Sequence, residues 1–208
     1  KRTDHTVAIP RPSFDAAQGL ESACKQCHAD ISEEDLQLTI NDWYGPIKPL
    51  HPVIANRMKV NAGTTGGDAA KVLLQPQHEH PMGQFANLTY FIKRYLSPGM
   101  TYLDLQIIEK LKDYTDNEDI DIKALAYAGL HYSQHNNPQV KRFLTDEIKK
   151  LGQNEEPVRR RWGLILDYFG SVFYLSGDKA KAIECYELAS EVLPDDPTII
   201  DNLSKARS

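Results

Sequence analysis

The sequence predicts an all-α protein in which a loop-rich segment over residues 1–97 is followed by antiparallel helical hairpins over residues 98–208. Three observations predict this class. After Gly83 the apolar residues recur at the helical period, and no convincing strand pattern interrupts them. Most of the segment before Gly83 is broken by prolines and glycines that indicate turns and loops. A pattern in the second half recurs at an offset of about 36 residues, which is typical of helical-hairpin repeats.

The composition indicates a folded protein and excludes several kinds of partner. The chain has 208 residues, of which 41% are hydrophobic and 25% charged, and its formal net charge is −5. Because lysines and arginines are scattered in a weakly acidic chain, we expect no nucleic-acid partner. No apolar stretch approaches the roughly 20 residues that a membrane helix needs, so we expect no membrane span. The chain starts at Lys1 without a signal-peptide pattern, so we expect a removed leader or a longer parent protein.

The first half contains few predicted helices. Prolines and glycines interrupt residues 1–22, which we therefore predict to be an extended arm. Ser32 and the acidic residues after it predict the start of a short helix, which ends at the Trp-Tyr-Gly-Pro sequence of 43–46. Residues 46–81 are predicted to be mostly loop, with one short helix near 68–74.

The second half is predicted to be helical throughout. The predicted helices cover residues 84–96, 101–113, 119–135, 138–151, 157–176, 179–193 and 197–206.

One hairpin of this half carries a family pattern. Its residues Leu166, Phe169, Gly170, Phe173, Gly177, Asp178, Ala182, Tyr186, Ala189 and Pro194 have the spacing of one tetratricopeptide repeat, which the stretch resembles. The small residues Gly170 and Ala182 are predicted to let two antiparallel helices approach, and the last helix is predicted to cover the open apolar end. Two roles remain open for such a stack, namely support of the first half and binding of a partner.

The strongest chemical signal is the sequence Cys24-Lys25-Gln26-Cys27-His28. This C-x-x-C-H pattern is the one associated with covalent attachment of haem c. Two thiols three positions apart on one turn can each join a vinyl group of the haem, and the next residue can supply an imidazole to the iron. We therefore predict haem c attached through Cys24 and Cys27, with His28 as the proximal iron ligand.

Zinc binding and dithiol redox chemistry fit the cysteines less well. A structural zinc site needs further Cys or His ligands at suitable spacing, and the third cysteine, Cys185, lies far away in an amphipathic helix. A thioredoxin-like dithiol would follow a strand, and no such unit precedes the motif. Cys185 itself is interpreted as a packing residue.

The second axial ligand stays open between two residues. Met82 lies before a helix, 84–96, that resembles the last helix of small class I cytochromes c. His5 lies in the arm ahead of the motif. Histidines 51, 78 and 80 lie in the loop-rich region, whereas His131 and His135 are interpreted as surface or packing residues of a later helix. Methionine raises the reduction potential of the iron relative to histidine, so the choice affects the range of redox partners.

The sequence around His5 resembles part of a known family, and this resemblance concerns its role as an iron ligand. The stretch Asp4-His5 followed by Pro10-Arg11-Pro12, the attachment motif and the Trp-Tyr-Gly of 43–45 resembles the last haem-binding segment of multihaem c-type cytochromes with helical-repeat tails. It is similar, more distantly, to the end of the pentahaem nitrite reductases. The resemblance implies that His5 is an axial ligand, often of a neighbouring haem. This chain holds one attachment motif, so further haems would lie on another chain or a missing segment, or be absent.

These observations predict an electron-transfer protein more than an enzyme. The helical repeats would dock redox partner proteins or other haem-bearing chains, and an oligomer or filament is compatible with that. The alternatives are a subunit or fragment of a multihaem oxidoreductase and a haem-based sensor or scaffold. The lysine-bearing catalytic motif of the nitrite reductases is not matched, because position 28 is histidine. Haem c attachment implies a periplasmic or extracellular location.

Overall fold

All regular secondary structure in the part of the chain that the structure describes is helical. The structure, a computed structural model, describes residues 9–17, 20–46, 57, 59–60, 63–75, 81–151 and 155–208. Within these ranges the chain forms ten α-helices and one 3₁₀ turn, and no strand. The predicted all-α class is therefore confirmed.

The chain divides into two compact units, residues 1–51 and 52–208. The boundary that the sequence suggested, after residue 97, lies inside the second unit. The physical reason is the helix over 81–95, which packs within this unit: the side chain of Ile92 lies directly against Gly129.

The first unit contains α1 (Pro12–Ala17), a 3₁₀ turn (Ala23–Gln26) and α2 (Glu33–Tyr44). The sequence suggested an extended arm up to residue 22, and α1 is a correction to it. Proline suits the first position of a helix because its fixed φ is helical and its missing N–H is not needed there.

Helix α2 begins where the sequence predicts. The Ser32 hydroxyl accepts a hydrogen bond from the Asp35 N–H at 3.1 Å, which caps the helix. Leu36 and Ile40 are buried in this unit, and the Ser13 hydroxyl of α1 donates to the Glu33 carbonyl at 3.4 Å.

The second unit contains the remaining eight helices. They are α3 (Gly66–Leu73), α4 (Pro81–Tyr95), α5 (Leu105–Thr115), α6 (Ile120–Gln134), α7 (Pro138–Lys150), α8 (Glu156–Leu175), α9 (Lys179–Val192) and α10 (Pro197–Arg207). All helices predicted after Gly83 are present. The largest shift is at α5, which begins after Asp104 because the carboxylate of that residue accepts the Gln106 N–H at 2.8 Å. None of the described helices is long and apolar enough to cross a membrane.

Helices α8 and α9 run antiparallel in close contact. A Cβ built on Gly163 would lie 2.5 Å from the Leu193 side chain, and one built on Gly170 would lie 2.6 Å from the Tyr186 ring. Near the N-terminus of α8, Arg159 also donates to the carbonyl of Val192, the last residue of α9, at 2.8 Å. The two glycines therefore make room for the side chains of the facing helix, as the sequence predicts for Gly170.

Contacts also join α4 to α6, α6 to α8 and α8 to α10 within the second unit. Ile92 packs on Gly129, and the rings of Tyr127 and Trp162 stack with their centroids 4.9 Å apart. Farther along, Asn202 donates to the Asp167 carboxylate at 2.9 Å. The partners in these pairs are 35 to 37 residues apart in the chain.

Candidate haem attachment site

The C-x-x-C-H motif of residues 24–28 occupies a single tight turn. The Cys24 carbonyl accepts hydrogen bonds from the Cys27 N–H at 3.3 Å and from the His28 N–H at 2.9 Å. Cys24 is half-buried, whereas Cys27 and His28 are exposed, and neither cysteine forms a disulfide. The structure therefore brings the three predicted residues together on one turn with two free thiols.

Two side chains, one before the motif and one within it, hold this turn. Ser22 is 2% exposed, and its hydroxyl accepts from the Cys24 N–H at 3.4 Å. From inside the motif, the Lys25 ammonium donates to the carbonyls of Ala29 at 2.9 Å and Ile31 at 2.7 Å. No role of Ser22 or Lys25 was predicted from the sequence. A serine before the motif was a detectable capping signal, whereas the reach of Lys25 depends on the path of the following loop.

The first unit exposes several large apolar side chains. They are Leu20, Ile31, Leu38, Trp43 and Tyr44, with Trp43 70% exposed. On α2, Trp43 and Tyr44 continue the helical face that Leu36 and Ile40 begin, because they follow at the spacing of successive helical turns. The first unit therefore exposes apolar surface on α2 as well as carrying the C-x-x-C-H motif.

Cys185 has a different environment. It lies on α9, is fully buried, and burial raises the pKa of its thiol to about 12. A buried thiol in this state is a poor nucleophile and a poor ligand. The interpretation of Cys185 as a packing residue is confirmed.

Of the two candidates for the second axial ligand, the structure describes only Met82. His5 lies outside the described residues, as do histidines 51, 78 and 80. Met82 lies in the first turn of α4 in the second unit and is 69% exposed.

Two histidines of α6 pair with glutamates of α9. The distance from His131 Nε2 to Glu191 Oε2 is 3.2 Å, and that from His135 Nε2 to Glu184 Oε1 is 3.1 Å. His131 packs edge-on against the Trp162 ring, and burial lowers the pKa of its imidazole. In the described part of the chain, no three His, Cys, Asp or Glu side chains are grouped closely enough to hold a metal ion. The two pairs therefore serve packing between the helices.

Two adjoining cavities form a groove along helices of the second unit. Their volumes are about 300 and 410 Å³, and Tyr168 lines both. We call this surface the Tyr168 groove; it is lined by Phe85, Ile92, Lys93, Asp121, Tyr132, Arg161, Leu164, Ile165, Tyr168, Phe169, Val172 and Phe173. The sequence carried a signal for it, because Leu164, Tyr168 and Val172 recur every four residues on α8 and are exposed.

Comparison of the chain with family models, with curated proteins and with solved structures gives no match. The chemistry of the motif is therefore argued from its own residues and their geometry.

Proposed function

We propose that this protein is a c-type cytochrome that carries one covalently bound haem and transfers electrons. The observation that carries the proposal is the single turn that presents Cys24, Cys27 and His28 with both thiols free. Because these residue types at this spacing are those of haem c attachment, the geometry supports the same chemistry here.

The three residues have separate roles in this proposal. Each thiol of Cys24 and Cys27 would add across one vinyl group, with its sulfur bonding to one vinyl carbon and its hydrogen going to the other. The imidazole of His28 would be a ligand of the iron. When bound, haem supplies an iron that accepts and releases one electron as it alternates between the ferric and ferrous states.

Exposed apolar residues of the first unit have a role as cover. Trp43 and Tyr44, which share one face of α2, would exclude water from the haem, and this would lower the local dielectric constant on which the reduction potential depends. We favour histidine over methionine as the second axial ligand, with His5 as the candidate and Met82 as the alternative. The resemblance to multihaem cytochromes supports His5, either for this haem or for a neighbouring one.

Substitution of the cysteines tests covalent attachment. We expect the full chain, exported to the periplasm with the haem c maturation machinery, to gain the mass of one haem and to stay coloured after denaturation. The double variant Cys24→Ala with Cys27→Ala should lose this covalent colour, because no thiol remains in the motif. Cys185→Ala is the matched control, since its buried thiol takes no part, and it should keep the haem. A colourless wild-type chain with both motif thiols open to alkylation contradicts the proposal.

Spectroscopy of the ferric protein separates electron transfer from the alternatives. A six-coordinate iron with these ligands gives low-spin absorption and spin-resonance spectra. The spectra of His/His ligation differ from those of His/Met ligation, so the ligand pair can be read from them. The His5→Ala and Met82→Ala variants then show which residue supplies the ligand. A high-spin spectrum that shifts on addition of nitrite or carbon monoxide would instead support an enzyme or a haem-based sensor.

We also propose that the second unit is a stack of tetratricopeptide-like helical hairpins. The pairs α4/α5, α6/α7 and α8/α9 would be the hairpins, and α10 would cover the end. The antiparallel contact of α8 with α9 and the contacting pairs 35 to 37 residues apart support this arrangement. A periplasmic or extracellular location belongs to the same proposal, because haem c is attached on the outer side of the cytoplasmic membrane.

The Tyr168 groove is the surface on which this stack would dock an acidic segment of a redox partner protein. The Lys93 ammonium lies 5.2 Å from the centre of the Tyr168 ring and 3.4 Å from its hydroxyl oxygen. Among the described residues no carboxylate lies within ion-pair distance of Lys93, whereas Arg161 is already paired with Asp121. A partner carboxylate would therefore meet an uncompensated cation, and apolar side chains beside it would meet Phe85, Leu164 and Val172.

Binding of defined peptides tests this docking surface. We expect fluorescein-labelled peptides that combine aspartate with leucine or phenylalanine to bind, and their glutamine or asparagine counterparts to bind at least about tenfold more weakly, because a charged hydrogen bond is lost. Lys93→Met should weaken the acidic peptides to the same degree. Lys71→Met, which removes a lysine already paired with Asp68 at 2.9 Å, is the matched control. If Lys93→Met and Lys71→Met bind the acidic peptides equally well, the groove does not dock an acidic segment. Self-association of the chain through the groove, seen by sedimentation, would also contradict the proposal.

A further inference from the structure

We propose that Lys25 is a positioning residue that clamps the turn carrying His28, and so fixes the orientation of the proximal imidazole. This inference rests on the proposed function, because it concerns how the chain holds an iron ligand. It assigns a role to an intervening position of the attachment motif that the motif itself leaves free.

The clamp is formed by hydrogen bonds from a single ammonium group. Lys25 Nζ lies 2.9 Å from the Ala29 carbonyl oxygen and 2.7 Å from the Ile31 carbonyl oxygen. A carboxylate oxygen of Glu33, in the first turn of α2, lies 3.9 Å away. Lysine has three donors on a flexible stem, so one side chain can satisfy several acceptors of a turn at once.

The clamped segment encloses His28. The His28 N–H donates to the Cys24 carbonyl on one side, and the His28 carbonyl accepts from the Ile31 N–H at 3.2 Å on the other. The imidazole is exposed, so neighbouring side chains do not fix it by burial. The backbone of residues 28–31 therefore sets the point and direction from which the His28 side chain leaves the chain, and Lys25 holds that backbone against the turn that bears both thiols.

The position of the lysine stem supports a structural role rather than a solvated one. The Lys25 side chain is only 23% exposed, although lysines are mostly exposed in proteins. A charged donor in a partly buried turn makes shorter and stronger hydrogen bonds than a neutral one. Loss of the ammonium would leave two turn carbonyls without this donor while the rest of the motif stays intact.

Three variants of the full haem-loaded chain test the clamp. Lys25→Met keeps the length of the stem and removes the donors, and Lys25→Arg keeps charge and donors. Asp30→Asn is the charge control, because it changes the net charge of the same loop by one unit, and no hydrogen bond of the Asp30 side chain is found among the described residues. Amide hydrogen exchange of residues 27–31 and the spin-resonance spectrum of the ferric protein are the two measurements.

We expect Lys25→Met to speed amide exchange at His28 and Ile31 by about tenfold, and to broaden or split the low-spin signal as the imidazole takes several orientations. Lys25→Arg and Asp30→Asn should keep wild-type exchange within about twofold and a single signal. A haem-loaded Lys25→Met protein with wild-type exchange and a wild-type spectrum overturns the clamp. A wild-type chain that takes up no haem overturns the proposed function and the ligand role of His28, and the exchange measurement still decides whether Lys25 holds the turn.

Discussion

Gly170 shows how one residue sets the distance between two helices. A Cβ at this position would lie 2.6 Å from two atoms of the Tyr186 ring, closer than packed carbon atoms approach. The Tyr186 hydroxyl lies 3.2 Å from that of Ser171, so the ring is held where it is. Glycine is therefore required at position 170 for the ring to fit, and the two helices can approach closely there.

Substitution of Gly170 measures this requirement. We expect Gly170→Ala to lower the free energy of unfolding by about 1 to 2 kcal/mol, because overpacking outweighs the better helix propensity of alanine. Chemical denaturation followed by circular dichroism gives the value.

Gly67→Ala is the matched control. In α3 the nearest atom to its Cβ would be 4.0 Å away, so the same substitution should raise the free energy of unfolding by about 0.5 kcal/mol. Equal effects at the two positions would mean that contact with Tyr186 does not decide the role of Gly170.

The role of a residue could be predicted from the sequence only where it depends on residues close to it in the chain. The two thiols and His28 were proposed as site residues from five consecutive letters, because haem c attachment requires a fixed spacing. Lys25 was not, since its carbonyl partners depend on the course of the loop after the motif. His131 was placed on the surface or in packing, and its burial against Trp162 became visible only when α6 and α8 were side by side.

Helices of the second unit begin at residues that the sequence marks clearly. Asp104, Asp119, Asn137, Asp178 and Asp196 each accept a hydrogen bond from a backbone N–H in the first turn of the helix that follows. These caps satisfy donors that have no partner inside the helix. Capping is local in sequence, but the helix ends were predicted from periodicity alone, and the predicted start of α5 at residue 101 therefore missed the Asp104 cap.

The cap of α10 provides a test at this scale. Asp196 accepts from the Thr198 N–H at 3.0 Å and from the Ile199 N–H at 3.3 Å. We expect Asp196→Ala to destabilise α10 by about 1 kcal/mol and to speed amide exchange in its first turn, because these donors lose their acceptor. Asp196→Asn keeps an acceptor oxygen and should exchange like the wild type. Unchanged exchange in Asp196→Ala would show that the cap is not needed once the helix is packed.

Helix α1 shows where element prediction was wrong. The prolines before it indicated an extended arm, but Pro12 stands at the first helical position, where proline is favoured. A helix of six residues is too short to show a helical period, so the sequence had no pattern with which to detect it.

The second unit is stabilised as a whole by contacts between helices that follow one another. Its buried residues form one large cluster that extends from Val60 to Ile199, and a small second cluster contains Ala182, Tyr186 and Ala206. Helix α10 contributes Ile199 to the first cluster and Ala206 to the second. Helix α10, at the C-terminal end of the unit, therefore packs against both clusters.

Two neighbouring residues of α10 test this connection. Ile199 is fully buried and Ile200 is 52% exposed. We expect Ile199→Ala to lower the free energy of unfolding by about 2 to 4 kcal/mol, because it leaves a cavity in the core. Ile200→Ala should change it by less than about 0.5 kcal/mol.

The shape of the unfolding curve tests whether α10 unfolds together with the rest of the second unit. A cooperative unit should unfold in a single transition in both variants, measured by fluorescence and circular dichroism together. Separate transitions for Ile199→Ala would show that α10 unfolds independently of the rest, which contradicts its proposed role as the cover of the stack.

The sequence by itself determined the helical class, the approximate ends of most helices and the C-x-x-C-H pattern on which the proposed function depends. These depend on periodicity, capping and spacing over a few residues, which are local properties. Only the tertiary structure decided that the helix over 81–95 belongs to the second unit, that Lys25 reaches two carbonyls beyond the motif, and that exposed side chains of α4 and α8 line one groove. Such contacts join residues distant in the chain, and their distances follow from how whole helices pack.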